Sequence, residues 1–423
     1  MSEHIEIPID DVMPGMFIEF KLNWLKHPFY SNSFRVNSAK EIFTLKDCGV
    51  SKVKYFPERS SVSYTKPATN SVKQHVGPSP SSLSIADDTL EDKKIQLKKL
   101  QEQQKKLGVL EREYKLVFNR ISNIVHVLQS DPQTGVKGVQ DFLSATIDFL
   151  ISEMESLVNI VSPKISKKHV DSIHLLNVCY LCLILGKSMG LSRMQLYELG
   201  TAAFLHDIGK TKIPRKILLK RPPYTKIEKQ FIELHPKYGI DMLANINSIS
   251  KNVIEGIYQH HENCNGTGYP QKKTSRGILP LAKIISVVNT YDNLCNYYHL
   301  NRLLTPHESL SYMYTRLKDE LSSNIVKIFI KRIGVYPPGC LVELSDGNLG
   351  MVVETSQANS TRPTIVIYDQ TTPREKPIIV NLSEVKDLSI ERSIRPAEAP
   401  EEVVLYLQKG NNHGCLYIGS FVS

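Results

Sequence analysis

The segment "AAFLHDIGKTKIP" (202–214) sets the hardest condition on any fold this chain can adopt. Ala202, Ala203, Phe204 and Leu205 read as the buried end of a helix, yet His206 and Asp207 follow at once and Gly209 breaks the pattern. An imidazole and a carboxylate at the edge of a core cost free energy unless each finds a partner. The fold must therefore supply that partner from within.

The same condition recurs through residues 136–333, where apolar residues repeat with the 3.6-residue period of helices. His174 shares a stripe with Val178, Leu181 and Leu185, and His206 lies four residues after Ala202 and seven after Leu199. His235 follows Phe231 and precedes Tyr238 and Met242, on a helix that Thr225 is expected to cap. His261 stands four residues after Ile257 and seven after Ile254, with His260 beside it, and Asn289 keeps the same spacings from Ile285 and Ala282. Five helices thus direct an imidazole or an amide at one interior. A single histidine on an apolar face is usually a satisfied core residue. Five of them with an aspartate would leave many polar atoms unpaired unless a divalent ion bound them, and helical bundles build metal sites in this way.

Imidazoles with one carboxylate suit iron, manganese, zinc or nickel rather than calcium or magnesium. Asp207, next to His206, is placed to bridge two ions while each takes its own histidines. Two ions about 3.5–4 Å apart activate a water and clamp an in-line displacement at phosphorus. Lys210, one turn beyond His206, is expected to face a phosphate oxygen or a leaving group. In the loop "HHENCNGTGYP" (260–270), Gly266 and Gly268 let backbone N–H groups approach a phosphate, and Tyr269 and Pro270 stiffen the segment. Taken alone, that loop also fits a tight turn without function.

A length of 423 residues implies two or three domains, and 41% hydrophobic with 22% charged residues fits a soluble globular protein. The net charge of +9 is spread over lysine pairs (Lys93 and Lys94, Lys98 and Lys99, Lys105 and Lys106, Lys272 and Lys273) that suit solvated helix faces. That pattern argues against a nucleic-acid partner and for an anionic small molecule. Of seven scattered cysteines, Cys179 and Cys182 fall in the apolar run "NVCYLCLIL" and read as core thiols. The start "MSEHIEIPID" has no apolar leader and no apolar run reaches membrane-spanning length, so a reduced, cytoplasmic protein without a membrane partner is expected.

Residues 5–57 alternate like strands around a short helix, "SAKEIFTLKDCG", and form a small α+β domain. Residues 60–88, rich in Ser, Thr, Pro and Asn, read as a flexible linker. Residues 89–130 form an amphipathic helix near heptad spacing, which suits packing on its own domain or a homodimeric coiled coil. After the helical residues 136–333 the period changes to two, with an Asp-Gly turn in "SDGN". Residues 336–392 therefore read as a β-barrel-like module and 393–423 as a loose tail. The fold class is mainly α: a helical catalytic bundle between a small N-terminal α+β domain and a small C-terminal β module.

The motifs "HLLNV" at 174, "HDIGK" at 206, "HPKYG" at 235 and "HHENCNGTGYP" at 260 resemble, in order and spacing, those of the HD-GYP family of metal-dependent phosphodiesterases, over about residues 165–320. The resemblance implies an HD-type bundle that hydrolyses the bacterial second messenger cyclic di-GMP to pGpG, and on to GMP where the site accepts the opened dinucleotide. It implies His174, His206, Asp207, His235, His260 and His261 as ligands of two divalent ions, iron or manganese first, zinc or nickel second, with Lys210 as a catalytic helper. It also implies contacts with other signalling proteins through the Gly-Tyr-Pro loop, and residues 5–57 resemble the small domain often found before such bundles.

The chain departs from that pattern at several positions. Asn289 stands where the family carries an aspartate ligand; an amide oxygen brings no charge, so the second ion is expected to bind less tightly. Asp292, nearly one turn on, does not simply replace it. Tyr298 stands where the family tends to place a phosphate-binding arginine, with Arg302 one turn later as the expected substitute. Val170 occupies the position of a third-metal glutamate, which favours two ions, and Asn265 replaces the aspartate of the loop. These departures keep a second reading open, a cyclic di-GMP receptor or interaction module that retains the fold without efficient hydrolysis.

Overall fold

The computed structural model describes residues 4–22, 29, 32–64, 95, 98, 120–152, 170–220, 223–296, 304–355, 360–373, 377–385 and 387–410. The alternating N-terminal runs pair as an antiparallel sheet of β1 (Ile5–Pro8), β2 (Phe17–Glu19), β3 (Ser33–Arg35) and β4 (Lys52–Tyr55), in the order β1-β4-β2-β3. Ile7 lies opposite Val53 and Ile18 opposite Tyr55, so one face of the pleat is a continuous core. Helix α1 (Ala39–Asp47) starts at a capping box between Ser38 and Glu41. Strand β3 is too short to show periodicity and escapes the sequence reading. The expected linker begins later than residue 60: Ser61 N–H donates to Gly15 O at 2.9 Å and the Tyr64 hydroxyl to Asp11 at 2.8 Å, which ties residues 60–64 to this domain.

Most of the expected helix 89–130 lies outside the described residues, as does Trp24. Its end, residues 120–130, is helical, and Ile121, Ile124 and Leu128 join the bundle core. The bundle follows as α2 (Pro132–Ser152), α3 (Val170–Ser188), α4 (Arg193–Leu205), a 3-10 turn (Ile208–Lys212), α5 (Arg215–Leu218), α6 (Lys226–Glu233), α7 (His235–Leu243), α8 (Lys251–Gln259), α9 (Pro280–Asn296), α10 (Pro306–Thr315) and α11 (Ser323–Ile333). Helices apolar all round belong at the centre. Accordingly α3 and α4 pack on each other, α3 also against α9 and α11, and α4 against α2 and α8. Cys179 and Cys182 are buried there; burial pushes the Cys179 thiol up to about 12, which leaves it unreactive at neutral pH.

One helix boundary differs from the sequence reading. Thr225 caps α6, not the helix that carries His235, because the chain breaks at Leu234 and restarts as α7. The cause is Pro236: it has no N–H to give the Ile232 carbonyl four residues back. Among the described residues no helix is long and apolar enough to cross a membrane.

The C-terminal module is an antiparallel sheet of β5 (Leu341–Leu344), β6 (Leu349–Glu354), β7 (Thr364–Ile367), β8 (Ile378–Asn381) and β9 (Ile390–Ile394), ordered β8-β7-β6-β5-β9. Among the described strands no ladder joins β8 to β9, so the barrel-like reading gives way to a sheet with two buried faces. The loose tail is also corrected. Strand β9 reaches Ile394, and helix α12 (Glu401–Gly410) lays Val403, Val404 and Leu407 on Leu341, Met351 and Val353. Without α12 that face would stand open to water.

The sheet holds both other domains. Asn348 Nδ2 donates to Ser33 O at 3.0 Å, Arg59 to Asp346 O at 3.3 Å and Asn32 Nδ2 to Thr371 Oγ1 at 2.9 Å. On the bundle side, the Thr305 and Ser393 hydroxyls meet at 2.7 Å.

Candidate metal centre

Helices α4 and α8 end on histidines, His206 and His260, and α6 ends one residue before His235. The last carbonyls of a helix have lost their N–H partners. Each imidazole supplies one: His206 Nδ1 lies 2.7 Å from Ala203 O, His235 Nδ1 2.6 Å from Ile232 O and His260 Nδ1 2.6 Å from Ile257 O. A carbonyl oxygen only accepts, so each ring carries its proton on Nδ1 and turns a bare Nε2 inward. His174, inside α3, is held by a carboxylate instead: Nδ1 donates to Asp292 Oδ2 at 2.7 Å.

Asp207 lies between these rings. Its Oδ2 is 3.4 Å from His174 Nε2 and 3.3 Å from His206 Nε2, while Oδ1 is 3.3 Å from His235 Nε2 and 3.8 Å from His260 Nε2. His261 stacks on Tyr269 with ring centroids 4.6 Å apart. Asp207, His235, His260 and His261 form one group with ligand atoms within 4.8 Å of one another; His174, His206 and Asp207 form a second.

This arrangement fits a cation on grounds internal to the structure. Asp207 Oδ1 is buried and accepts no hydrogen bond. The Nε2 atoms of His235 and His260 are 3.2 Å apart, so two lone pairs face each other. Helix C-termini converging here add partial negative charge. A divalent ion removes all three penalties.

The ionisation states agree. Burial opposes a charge on Asp207, but His206 and Lys210 outweigh it and hold the carboxyl well below its usual range. Burial, reinforced by His261 and His206, keeps His260 well below the ordinary imidazole value; burial with His235 does the same for His261. His206 is lowered by burial against the pull of Asp207. His174 goes the other way: despite burial, hydrogen bonds to Asp207 and Asp292 carry it up to about 9. An ion entering beside His174 therefore displaces a proton.

Other expected site residues sit differently. Lys210 Nζ is 2.5 Å from Asp207 Oδ2, so its ammonium is paired with that carboxylate. The Gly266 amide is bonded within the loop to Asn263 O at 2.8 Å. Gly268 serves close packing: a Cβ there would stand 2.3 Å from Asn263 N and 2.4 Å from His261 O. Tyr269 N–H donates to His261 O at 3.1 Å and Pro270 follows in the same loop. Asn265 Oδ1 accepts from Thr267 within the loop. Asn289 is buried on α9, with Oδ1 accepting from Asn293 at 2.8 Å. Arg302 and Tyr298 lie outside the described residues.

The sequence reading undervalued Asp292 and did not weigh Glu262. Asp292 is buried, holds His174 through Oδ2, and is itself fixed by Asn177 and Asn296, each 2.9 Å from Oδ1. Its spacing, four residues after Val288 and seven after Ile285, was the available signal, since a carboxylate on an apolar seam needs a polar partner. Glu262 is buried and accepts from Gln271 N at 2.6 Å and Lys273 N at 2.8 Å.

A bundle that gathers such histidines around a His-Asp pair defines an HD domain, and residues 152–321 match the HD domain family. Residues 4–139 match a domain of unknown function (DUF3391) and residues 341–402 a KOW domain associated with HD domain. With its complete "HHENCNGTGYP" loop, the chain belongs to the HD-GYP family. It is 26% identical over 378 residues to the cyclic di-GMP phosphodiesterase PA4108 of Pseudomonas aeruginosa, covering 86% of this chain and 84% of that one. It is 28% identical to the cyclic di-GMP phosphodiesterase PdeB of Borreliella burgdorferi over 48% of this chain, and spans 53% of that relative's length. A solved HDG"Y"P protein from Bdellovibrio bacteriovorus, Bd1817, overlaps 77% of this chain and 98% of that chain at 15% identity and a TM-score of 0.44.

Proposed function

We propose that this chain is a metal-dependent phosphodiesterase that opens cyclic di-GMP to linear pGpG, in the cytoplasm. The observation that carries the reading is Asp207, whose two oxygens face separate histidine groups. Asp207, His235, His260 and His261 would hold one divalent ion, and His174, His206 and Asp207 a second beside Asn289. Iron or manganese suits this nitrogen-rich set, with zinc or nickel as alternatives. Bound ions would supply Lewis-acid charge to the phosphodiester and lower the pKa of a water. The Nδ1–carbonyl bonds keep the three helix-end rings in one tautomer, and Asp292 keeps His174 aligned. Lys210 balances the Asp207 charge until the ions arrive, and Tyr269 braces His261. Chromatography of products from the iron- or manganese-loaded protein tests the proposal. Linear pGpG is expected first, with GMP following if the opened dinucleotide is accepted. Binding without any linear product would instead make the protein a cyclic di-GMP receptor.

Asn289→Asp is expected to strengthen the second position. A carboxylate stabilises a dication in a buried site far better than an amide, and a tenfold gain in affinity needs only about 1.4 kcal/mol. Manganese titration followed by calorimetry should show the weaker of two binding steps move by at least that factor. An unmoved weak step means that Asn289 is no part of the ion's surroundings.

A further inference from the structure

Lys272 is, among the described residues, the one non-glycine residue with positive φ, at +56°. There an L side chain crowds its own backbone, whereas glycine holds the same shape without strain. The surroundings enforce the conformation. Gln271 N–H and Lys273 N–H, on either side of Lys272, donate to the two carboxylate oxygens of Glu262 at 2.6 and 2.8 Å. Glu262 is 2% exposed and directly follows His261. Three residues before Lys272, Tyr269 stacks on His261, so the Lys272 backbone stands within about 10 Å of that tyrosine's. Its own side chain is exposed and makes no salt bridge among the described residues, whereas Lys273 meets Glu255 at 3.7 Å.

Strain of this kind persists where neighbouring contacts over-determine it, and it concentrates at binding sites. A cyclic dinucleotide brings two phosphodiesters, and only one can lie at Asp207. Lys210 lies against Asp207, on the side of the phosphodiester being cleaved. We propose that Lys272 binds substrate, its ammonium meeting the phosphodiester that is not being cleaved while the Glu262 clamp fixes where the side chain starts. This rests on the phosphodiesterase reading above.

The test compares wild type, Lys272→Gly and Lys272→Arg as full-length, manganese-loaded proteins. The substrates are cyclic di-GMP and bis(p-nitrophenyl) phosphate, which has a single phosphodiester. For Lys272→Gly, KM for cyclic di-GMP is expected to rise about fivefold, the upper range for an exposed ion pair. Its kcat should stay within about twofold, KM for the small diester should not move, and melting should shift up by about 2 °C as the strain is relieved. Lys272→Arg should keep the wild-type KM. An unchanged KM for cyclic di-GMP in Lys272→Gly would overturn the proposal. If wild type cleaves only the small diester, the cyclic di-GMP hydrolysis reading fails, and the ratio of calorimetric Kd values for cyclic di-GMP between wild type and Lys272→Gly still decides the role of Lys272. No binding to either protein overturns both.

Discussion

A single methyl group at position 209 is expected to dismantle the metal centre. Gly209 lies in the 3-10 turn after Asp207, and a Cβ built there would stand 2.0 Å from His235 O and 2.5 Å from Gly239 N. Both obstacles are backbone, so neither can swing aside. The turn and α7 must separate by more than 1 Å, roughly the gap between these contacts and ordinary packing distances. That movement acts directly on the 3.3 Å approach of Asp207 Oδ1 to His235 Nε2, and metal sites tolerate only about 0.5 Å of displacement. Gly209→Ala should cost about 3 kcal/mol of stability, seen as a fall of roughly 6–12 °C in melting temperature, and should lose the ion at His235. Elemental analysis with a melting curve checks both. A variant that melts like wild type with its metal intact would show that the 3-10 turn and α7 can part without consequence.

Asp207→Asn keeps the shape of the side chain and removes its charge. Both histidine groups share that carboxylate, so the variant is expected to hold less than one ion per chain and to lose at least about a thousandfold in hydrolysis, some 4 kcal/mol. A pH effect in chelator-treated protein separates charge from shape. His174 is raised to about 9 by Asp207 and Asp292. A raised imidazole contributes stability that is complete below its unfolded value of about 6.5 and disappears as pH climbs through the folded one. Metal-free wild type should therefore lose on the order of 3 kcal/mol between about pH 6.5 and pH 9. In Asp207→Asn that loss should shrink, because one of the two carboxylates responsible is gone. Parallel stability curves for the two proteins would remove Asp207 from the account of His174.

The histidines and Asp207 were legible because helical spacing put each on an apolar seam, where an unpartnered polar group is conspicuous. What those rings do with Nδ1 was not. Periodicity treats His206 and His260 as further helix positions, whereas the structure ends helices on them and gives their protons to orphaned carbonyls. Pro236 could have marked the break before α7, since a proline leaves the carbonyl four residues back unpaired. In the loop, Gly266 and Gly268 both read as openings for a phosphate, and a glycine pattern does not reveal that the Gly266 amide is bonded to Asn263 O or that a Cβ at Gly268 would meet backbone. At the C-terminus, Val403, Val404 and Leu407 have too short a pattern to declare a helix. Their partners on β5 and β6 lie some fifty to sixty residues earlier in the chain, and local spacing carries no trace of them.

The contacts of Ser33, Asn32 and Arg59 with Asn348, Thr371 and Asp346 make the N-terminal and C-terminal sheets neighbours. Topologically the bundle is an excursion that leaves one small body and returns to it. Neither sheet is then an appendage that can be trimmed independently. Removing the first 64 residues would take the Ser33 acceptor from Asn348 and the Arg59 donor from Asp346 O in the β5–β6 turn, and removing everything after residue 335 would leave Ser33 O, Arg59 and Asn32 without those partners. The same C-terminal sheet touches the bundle where the Ser393 hydroxyl meets that of Thr305, the residue that caps α10.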